Sequence, residues 1–529
     1  MSVHSNEKSY LRRFWIPITL ITVFAIAEAV NWTTNLVSEQ LIPRFASSAQ
    51  VVVGRNLVLL FGGLLLIWLL FTRQVSRKIK YYTFGILAIA AGLFAASIRE
   101  IENTGNNNYV FHFRWEPTQE QRLQQYLLIN KPGLGSNELV ANAPTQTDFL
   151  GSQRDGVVPG SKLKFDLKQH APKELWRRPV GGGYASCVLA GGLAVTIEQR
   201  GEEEMVVAYD LKTGQERWTR GYPGHFKESL GGNGPRATPT ISNNEVFALG
   251  ASGLLTCLDL ASGQEKWKTN ILEDASISNI QWGMSGAPLV VGNKVIVNPG
   301  GTNDFGVVAY DRATGKAVWH AGKNRASYAS PVLAKLADVE TVLIFDAEGV
   351  AGHELATGKE LWRFAFGNTN KINVAQPLAL PGDQVFVSAG YDAGAVMLQI
   401  KKDGGAWTAT PIWQNKRLKC KMSSAVFHEG FLYGMDDGIL ACLDAKTGER
   451  KWKAGRYGHG QLLLRNDVLV IMGEAGDLVL VAADPKVHRE LAKVPMLPGG
   501  KVWNAPALAD DLLLLRNHYE AVLLQLATE

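Results

Sequence analysis

Three basic residues, Arg236, Arg325 and Lys421, and two aromatic ones, Trp282 and Tyr328, lie in irregular stretches between short apolar runs. A guanidinium offers paired planar donors, and indole and phenol rings offer flat faces. Such a set suits a flat, multiply anionic ligand. Asn279, Gln281, Asn373, Gln376, His459 and Asn504 occupy similar stretches and would add directional hydrogen bonds. The structural alternative is that these groups are satisfied polar residues lining a wet channel. Proton abstraction would need a positioned carboxylate, for which Glu228, Asp274 and Asp304 are the nearest candidates. His459 has no second histidine at ligand spacing, so it reads as a hydrogen-bond partner, and no metal site is expected. The GGNG run at 231–234 lacks the lysine and helix of a phosphate loop, which leaves turn-forming glycine. Cys187, Cys257, Cys420 and Cys442 are the four cysteines, with no CxxC, no CxxCH and no adjacent pair, so zinc, covalent haem and a disulfide scaffold lack their spacing.

The elements that must position these residues come from a repeat. Five segments place an acid eight residues before a Trp, with a Gly turn between. They are Asp210, Gly214 and Trp218; Asp259, Gly263 and Trp267; Asp311, Gly315 and Trp319; Glu354, Gly358 and Trp362; and Asp444, Gly448 and Trp452. Looser copies end at Trp176 and Trp413, and a degenerate one has Asp484 with Leu491 in the Trp place, which makes eight units. The acid can cap its own turn, Gly supplies positive φ, and Trp can wedge between neighbouring sheets. Three short β-branched strands follow each Trp, with hairpin signals at Asn243-Asn244, Gly292-Asn293 and Gly382-Asp383. Units of roughly 44 residues suit a propeller of four-stranded blades. The first Trp strand, 174–178, has no blade before it, whereas the last unit, 503–527, has three strands and no Trp strand. We therefore expect an eight-bladed all-β propeller at 173–529, closed by pairing the two ends. In such blades the loops entering each inner strand and those between the second and third strands share one face, and that face would carry the residues above.

The 529-residue chain is 46% hydrophobic and 19% charged, too long for one ordinary core and too apolar for a disordered polypeptide. Its formal charge of +5 includes no long basic run, so nucleic acid is not an expected partner. Apolar stretches at 14–30, 51–71 and 81–97 match the length of bilayer crossings. They define a 1–100 anchor of three transmembrane helices in a lipid bilayer. Lys8, Arg12 and Arg13 precede the first, and Arg73, Arg77, Lys78 and Lys80 lie between the second and third. Positive charge stays inside, which leaves the amino terminus cytoplasmic and the propeller extracytoplasmic. The first stretch also fits a cleaved signal peptide, which leaves the propeller on the same side. Glu28 and Arg55 fall at similar depth and would pair. The polar segment 101–172 reads as a linker and collar, with a strand at YVFHFRW and a short helix at TQEQRLQQYLL.

The D-x-x-T-G-x-x-x-W turns resemble the pyrroloquinoline quinone (PQQ) repeat superfamily, a quinoprotein-like and BamB-like propeller family, here with an amino-terminal membrane anchor. GPRATPT (234–240) and QWGMSGAPLVVG (281–292) look like a bacterial subgroup of such propellers. The superfamily includes quinoprotein dehydrogenases and non-catalytic propellers, so the resemblance implies either of two roles. One is a binding or scaffold protein in a bacterial envelope complex, with the small anionic ligand on its loop face. The other is a PQQ-dependent dehydrogenase feeding electrons to membrane quinone. The second role implies PQQ, calcium, an Asp base, carboxylate and amide oxygens for the cation, and often a disulfide of adjacent cysteines. This chain has no such cysteine pair, and the binding role is the leading expectation.

Overall fold

In the computed structural model the described residues are 15–27, 46–103, 109–130, 138–164, 170–228, 231–497 and 501–529. They fall into two compact units, one within Met1–Glu102 and Tyr109–Glu116, the other within Asn103–Asn108 and Pro117–Glu529.

The first unit contains helices Trp15–Ala27, Ala46–Phe71 and Arg77–Ser97, followed by a two-stranded hairpin, Ile98–Asn103 with Tyr109–Phe113. Among the described residues one helix, Arg77–Ser97, is long and apolar enough to cross a bilayer, while Trp15–Ala27 and Leu57–Phe71 are shorter apolar stretches. Of the three expected spans, only that at 81–97 is therefore matched by a full-length apolar helix. Glu28 and the side chain of Arg55 lie outside the described residues, and so does their expected pairing.

The second unit is a ring of eight antiparallel four-stranded sheets. In chain order the blades occupy 188–223, 240–270, 289–321, 332–364, 378–415, 426–456, 461–495 and 507–525, and the last takes Lys173–Pro179 as its outer strand. Trp176 stands opposite Leu523 in that closing pair. Ring closure by the two ends is thus as the repeat predicts.

The repeat acts through one contact. In each outer strand the residue before the Trp position is bulged out of register, as Arg217 is between the pairs Trp218 with Ala208 and Glu216 with Tyr209. A bulge re-aims the next side chain. The indole turns toward the next blade and donates its N–H to a turn carbonyl there: Trp176 to Leu211, Trp218 to Leu260, Trp267 to Arg312, Trp319 to Leu355, Trp413 to Ala445 and Trp452 to Asp484, at 2.7 to 3.2 Å. In five of the six the ring lies over the glycine of that same turn, Trp452 instead meeting His488. A Cβ on Gly263 or Gly315 would sit 2.5 Å from the Trp218 or Trp267 ring, and both glycines have φ of +68°. The acid caps the turn, since Asp311 Oδ1 accepts the Thr314 N–H at 2.9 Å and the Thr314 hydroxyl at 2.8 Å. Glycine is therefore required twice over, by backbone sign and by the ring above it.

The exceptions are informative. In the seventh blade the turn is longer: Ala482 N–H reaches Arg489 O, whereas Asp210 N–H reaches Gln215 O. The Trp place consequently falls on Ala492, opposite Leu480, and Leu491 is the bulged residue, which corrects the expectation from spacing. No indole clasp joins the seventh blade to the eighth. In the fifth blade the turn is replaced by the long hairpin Gly394–Asp403 with Ala406–Asn415, and the Trp362 Nε1 has no hydrogen-bond partner among the described residues. Trp407 and Ala409 of that hairpin instead pack on the cluster containing Trp362, Leu361 and Phe364.

Residues 138–164 form a strap on the face opposite the long loops. The strap bridges to the first blade at Gln146–Leu189, the seventh at Val157–Leu464, and the carboxy terminus at Leu163–Thr528. Leu150, Val158 and Leu163 share one core with Leu463 and Leu480 of the seventh blade and Leu513 and Leu524 of the eighth. Apolar burial thus joins the two blades that no tryptophan clasps. Arg154, 2% exposed, sends its guanidinium to Thr240 Oγ1, the carbonyls of Ala287, Pro288 and Pro331, and Asp148 Oδ1. One side chain therefore ties the second, third and fourth blades together with charge-assisted bonds.

Where the chain ends meet, buried charges take over. Arg178 of the closing strand pairs with Glu216 at 2.8 Å, and Arg200 bridges Glu216 and Glu198 at 2.7 and 2.6 Å. Tyr209 donates to Glu198 at 2.7 Å. Burial would raise the Glu198 carboxyl, but Arg200 and Arg516 outweigh it and hold it below the usual range. The helix Gln119–Ile129, started by a Thr118–Gln121 capping box, sets Tyr126 over Arg178 at 4.9 Å.

The clasp predicts unequal responses to one methyl group. Gly382 also has positive φ, +81°, but faces open space, so Gly382→Ala carries only backbone strain, about 1 to 2 kcal/mol. Gly315→Ala adds overpacking against Trp267, about 1 to 3 kcal/mol more. Denaturant melts of the two variants check this, and equal losses would show that the ring is not what demands glycine.

Candidate functional site

The loops entering the inner strands and those between second and third strands share the face away from the strap. Around one cavity of about 330 Å³ this face gathers Gln281, Trp282, Arg325, Tyr328, Glu348 and Lys371. Trp282 and Tyr328 are 5.6 Å apart and tilted, and Lys371 pairs with Glu348 at 2.7 Å. Arg236 joins them: a Cβ on Gly231 would lie 2.9 Å from both Arg236 Nη2 and the Trp282 ring. Arg236 donates to Gly234 O and Gly232 O at 2.7 and 2.8 Å and stacks over Phe226 at 4.9 Å. Gly232 and Gly234 have φ of +83° and +87°, so the GGNG run is the turn that delivers those carbonyls.

A second group continues the rim. Lys421 lies 4.8 Å over Tyr391, and Lys501, only 4% exposed, lies 4.6 Å over Trp503. Tyr184 stands between Trp503 and Arg236, at 5.2 Å from the Trp ring and 5.6 Å from the guanidinium. Glu474 accepts from Trp503 Nε1 at 2.8 Å and from the His459 N–H at 3.0 Å. Burial pushes His459 below the usual histidine range, partly offset by Glu474, so its ring is neutral at pH 7. Tyr328 and Tyr391 are pushed up by burial and stay protonated. Cations placed over neutral rings form a basin suited to carboxylates and aromatic groups.

Tyr184, Lys371, Tyr391, Glu474, Lys501 and Trp503 escaped the reading of the sequence. Each lies in one of the loops that share this face, so scanning every such loop for rings and charges would have found them.

Other candidates spend their side chains on the fold. Asn279 Nδ2 donates to Ala251 O at 2.8 Å, and buried Asn373 donates to Asp346 O at 2.7 Å and accepts from Asn368. Gln376 and Asn504 belong to a belt that links blades at the channel. Ala505 N–H reaches Ser186 Oγ, Ser186 N–H reaches Thr238 Oγ1, Ala287 N–H reaches Ser330 Oγ, Ser330 N–H reaches Gln376 Oε1, and Gln376 N–H reaches Ser424 Oγ, at 2.7 to 3.1 Å. Asn504 Nδ2 donates to Ala185 O at 2.9 Å. Gln376 Nε2 and Asn504 Oδ1 are left buried and without protein partners, as polar groups facing channel water would be.

Two of the three acids are likewise engaged. Asp274 accepts from Thr269 and Tyr310 hydroxyls, both at 2.9 Å. Asp304 is exposed, 3.8 Å from Lys323, and Glu228 accepts the Gly231 N–H. The four cysteines are free and buried, and burial pushes Cys187 up to about 11 and Cys257, Cys420 and Cys442 up to about 12. They stay as unreactive thiols.

Eight four-stranded blades, a tryptophan clasp onto a Thr-Gly or Ser-Gly turn and loops gathered on one face make this an eight-bladed, tryptophan-clasped propeller. Its repeats are similar to those of one family: residues 202–454 match the family described as outer membrane protein assembly factor BamB. The chain is 25% identical over 253 residues to the outer membrane protein assembly factor BamB of Burkholderia pseudomallei, covering 45% of this chain and 61% of that protein. It is 24% identical over 264 residues to that of Moranella endobia, covering 46% and 64%. It thus spans about three fifths of the length of these curated relatives. Among solved structures it is similar to the quinohemoprotein alcohol dehydrogenase of Comamonas testosteroni, with a TM-score of 0.51 and 13% identity over 73% of this chain and 81% of that one. At that identity the likeness is one of fold alone.

One buried acid under the face sets a pH dependence. Glu204 is held beneath the loop after the first blade, accepting Ala251 N–H at 3.0 Å, and burial pushes its carboxyl up to about 7, against partial offsets from that bond and from Arg236. The folded state therefore binds a proton that the unfolded chain has released between its ordinary 4.5 and about 7. Stability should fall as pH rises through that window, by about 2 to 3 kcal/mol. Glu204→Gln should flatten the dependence in denaturant melts at pH 5 and pH 8, and an unchanged slope would remove Glu204 as its source.

Proposed function

We propose that this chain is a membrane-anchored, extracytoplasmic PQQ-like propeller that acts by binding, as a scaffold in an envelope complex whose partner or small ligand presents anionic groups to the loop face. The observation that carries this reading is the convergence of Arg236, Arg325, Lys421 and Lys501 with Tyr184, Trp282, Tyr328 and Trp503 on one face. Cations set among rings attract anions and abstract no proton at neutral pH. The likeness to outer membrane assembly factors supports an envelope partner. The anchor comprises 1–100 with spans at 14–30, 51–71 and 81–97, and 101–172 connects it to the propeller at 173–529. Basic residues before the first span and after the second put the amino terminus in the cytoplasm and the propeller outside.

The dehydrogenase reading requires a carboxylate and amide set for calcium and a free base beside PQQ. The residues at this face do not fit that group. Asn373 Oδ1 accepts from Asn368, Gln376 Oε1 accepts from the Ser330 N–H, and Asp274 is held by two hydroxyls.

Purified full-length protein incubated with PQQ and calcium should reduce no acceptor dye with alcohols or sugars. Turnover abolished by Asp274→Asn or Asp304→Asn would make the enzyme reading primary.

A further inference from the structure

The hairpin that follows the helix Arg77–Ser97 is an apolar, aromatic surface built onto the helix end. No loop intervenes: Ile98, the first strand residue, is the helix C-cap and donates its N–H to Ala95 O. The returning strand closes on the same turn, with Arg114 N–H to Ser97 O and Arg114 Nε to Ala96 O, both at 2.9 Å. Phe94 of the last helical turn meets Phe111 and Phe113 at 5.8 and 6.2 Å, and Phe113 stacks on Trp115 at 4.7 Å and 4°. Arg99 closes the base by donating to Glu116 O at 2.6 Å and Phe113 O at 3.3 Å. The hairpin therefore has a fixed position on the helix. Yet Trp115 is 70% exposed, and Ile101 and Phe111 are also exposed. A soluble surface has little reason to rigidify and expose such a cluster.

Length says what covers it. The seventeen apolar residues 81–97 of this helix rise about 26 Å, and Arg77, Lys78 and Lys80 before them stand at the opposite headgroup layer, so the stretch nearly fills the roughly 30 Å hydrocarbon core. No residue of that helix is buried by protein. If the helix fills the core, its last turn lies at the acyl boundary, and a hairpin welded to that turn starts in the headgroup layer. Indole and phenyl rings favour that layer, and the exposed Arg114 supplies donors of the kind phosphates accept.

We propose that the hairpin strands Ile98–Asn103 and Tyr109–Phe113, with Trp115, are a lipid-docking element that lies in the headgroup zone of the bilayer, with Phe111 and Trp115 at the acyl boundary. This rests on the membrane-spanning reading of Arg77–Ser97. It goes beyond that reading by assigning a second, non-spanning contact whose partner is the phospholipid surface.

Spin labels on full-length protein in phosphatidylcholine and phosphatidylglycerol vesicles test it. The variants are Trp115→Cys, Phe111→Cys, Ile89→Cys in mid-helix and Val140→Cys on the second unit. The unsubstituted protein, with its four buried cysteines, gives the background. The ratio of oxygen to water-soluble nickel-chelate collisions should be highest at position 89 and several-fold higher at 111 and 115 than at 140. A deep signal at 89 with 111 and 115 as nickel-accessible as 140 overturns the docking element and leaves the span standing. A water-exposed 89 overturns both. If Trp115→Cys does not reconstitute, Phe111→Cys and Ile101→Cys give the same readout.

Discussion

An indole N–H donated to a turn carbonyl of the next blade, with the ring seated on that turn's glycine, is the contact on which the propeller depends. It fixes the spacing and roll of neighbouring sheets, since a bulge before the Trp aims the ring and a glycine receives it. Once the sheets are held this way, the connections of four antiparallel strands have no freedom about which face they occupy. The loops entering the inner strands fall on one side and the Asp-to-Gly turns on the other. The site is therefore a consequence of the clasp, although no clasp residue belongs to it.

The ring is strongest where the clasp repeats and is reinforced by other means where it fails. Between the fourth and fifth blades a long hairpin lays Trp407 against the outer strand that Trp362 would otherwise have locked. Between the seventh and eighth, Leu150, Val158 and Leu163 of the strap fill a common core. The strap also occupies the turn-side face and drives Arg154 into the channel, and the helix Gln119–Ile129 meets the loop face only at its edge, through Gln119 to Val180 O and His518 O. Asymmetry between a strapped face and an open cationic, aromatic face is what a binding platform needs, because it offers one surface rather than a through-channel.

Residue types that the clasp demands were legible in the sequence because geometry admits few substitutes. Acid, glycine and tryptophan at fixed spacing revealed the blades, the count and the closure by 174–178. Where the clasp lapses, spacing misled: a turn lengthened in the seventh blade moved the Trp place from Leu491 to Ala492. The strap was not legible, since 138–164 has no period and its bonds are to backbone groups distant in sequence. The site was legible as a set of loops and less so as side chains. Asn373 and Gln376 look the same in sequence whether their amides face a ligand or a neighbouring blade, and only the fold shows them bonded to Asp346 and Ser330. Lys501 and Tyr184 become meaningful only when blades far apart in sequence are brought side by side.

The central claim is that the open face binds a partner and the strapped face does not. Site-specific photocrosslinking in living cells tests it most directly, with a photoreactive residue placed at Trp282, Tyr328 or Arg325 on the open face and at Gly292 or Gly382 among the turns. The account predicts discrete adducts from the open-face positions, lost when Arg236 and Lys421 are both replaced by Ala, and none from the turn positions. Adducts confined to the turn positions, or open-face adducts indifferent to those cations, would contradict it.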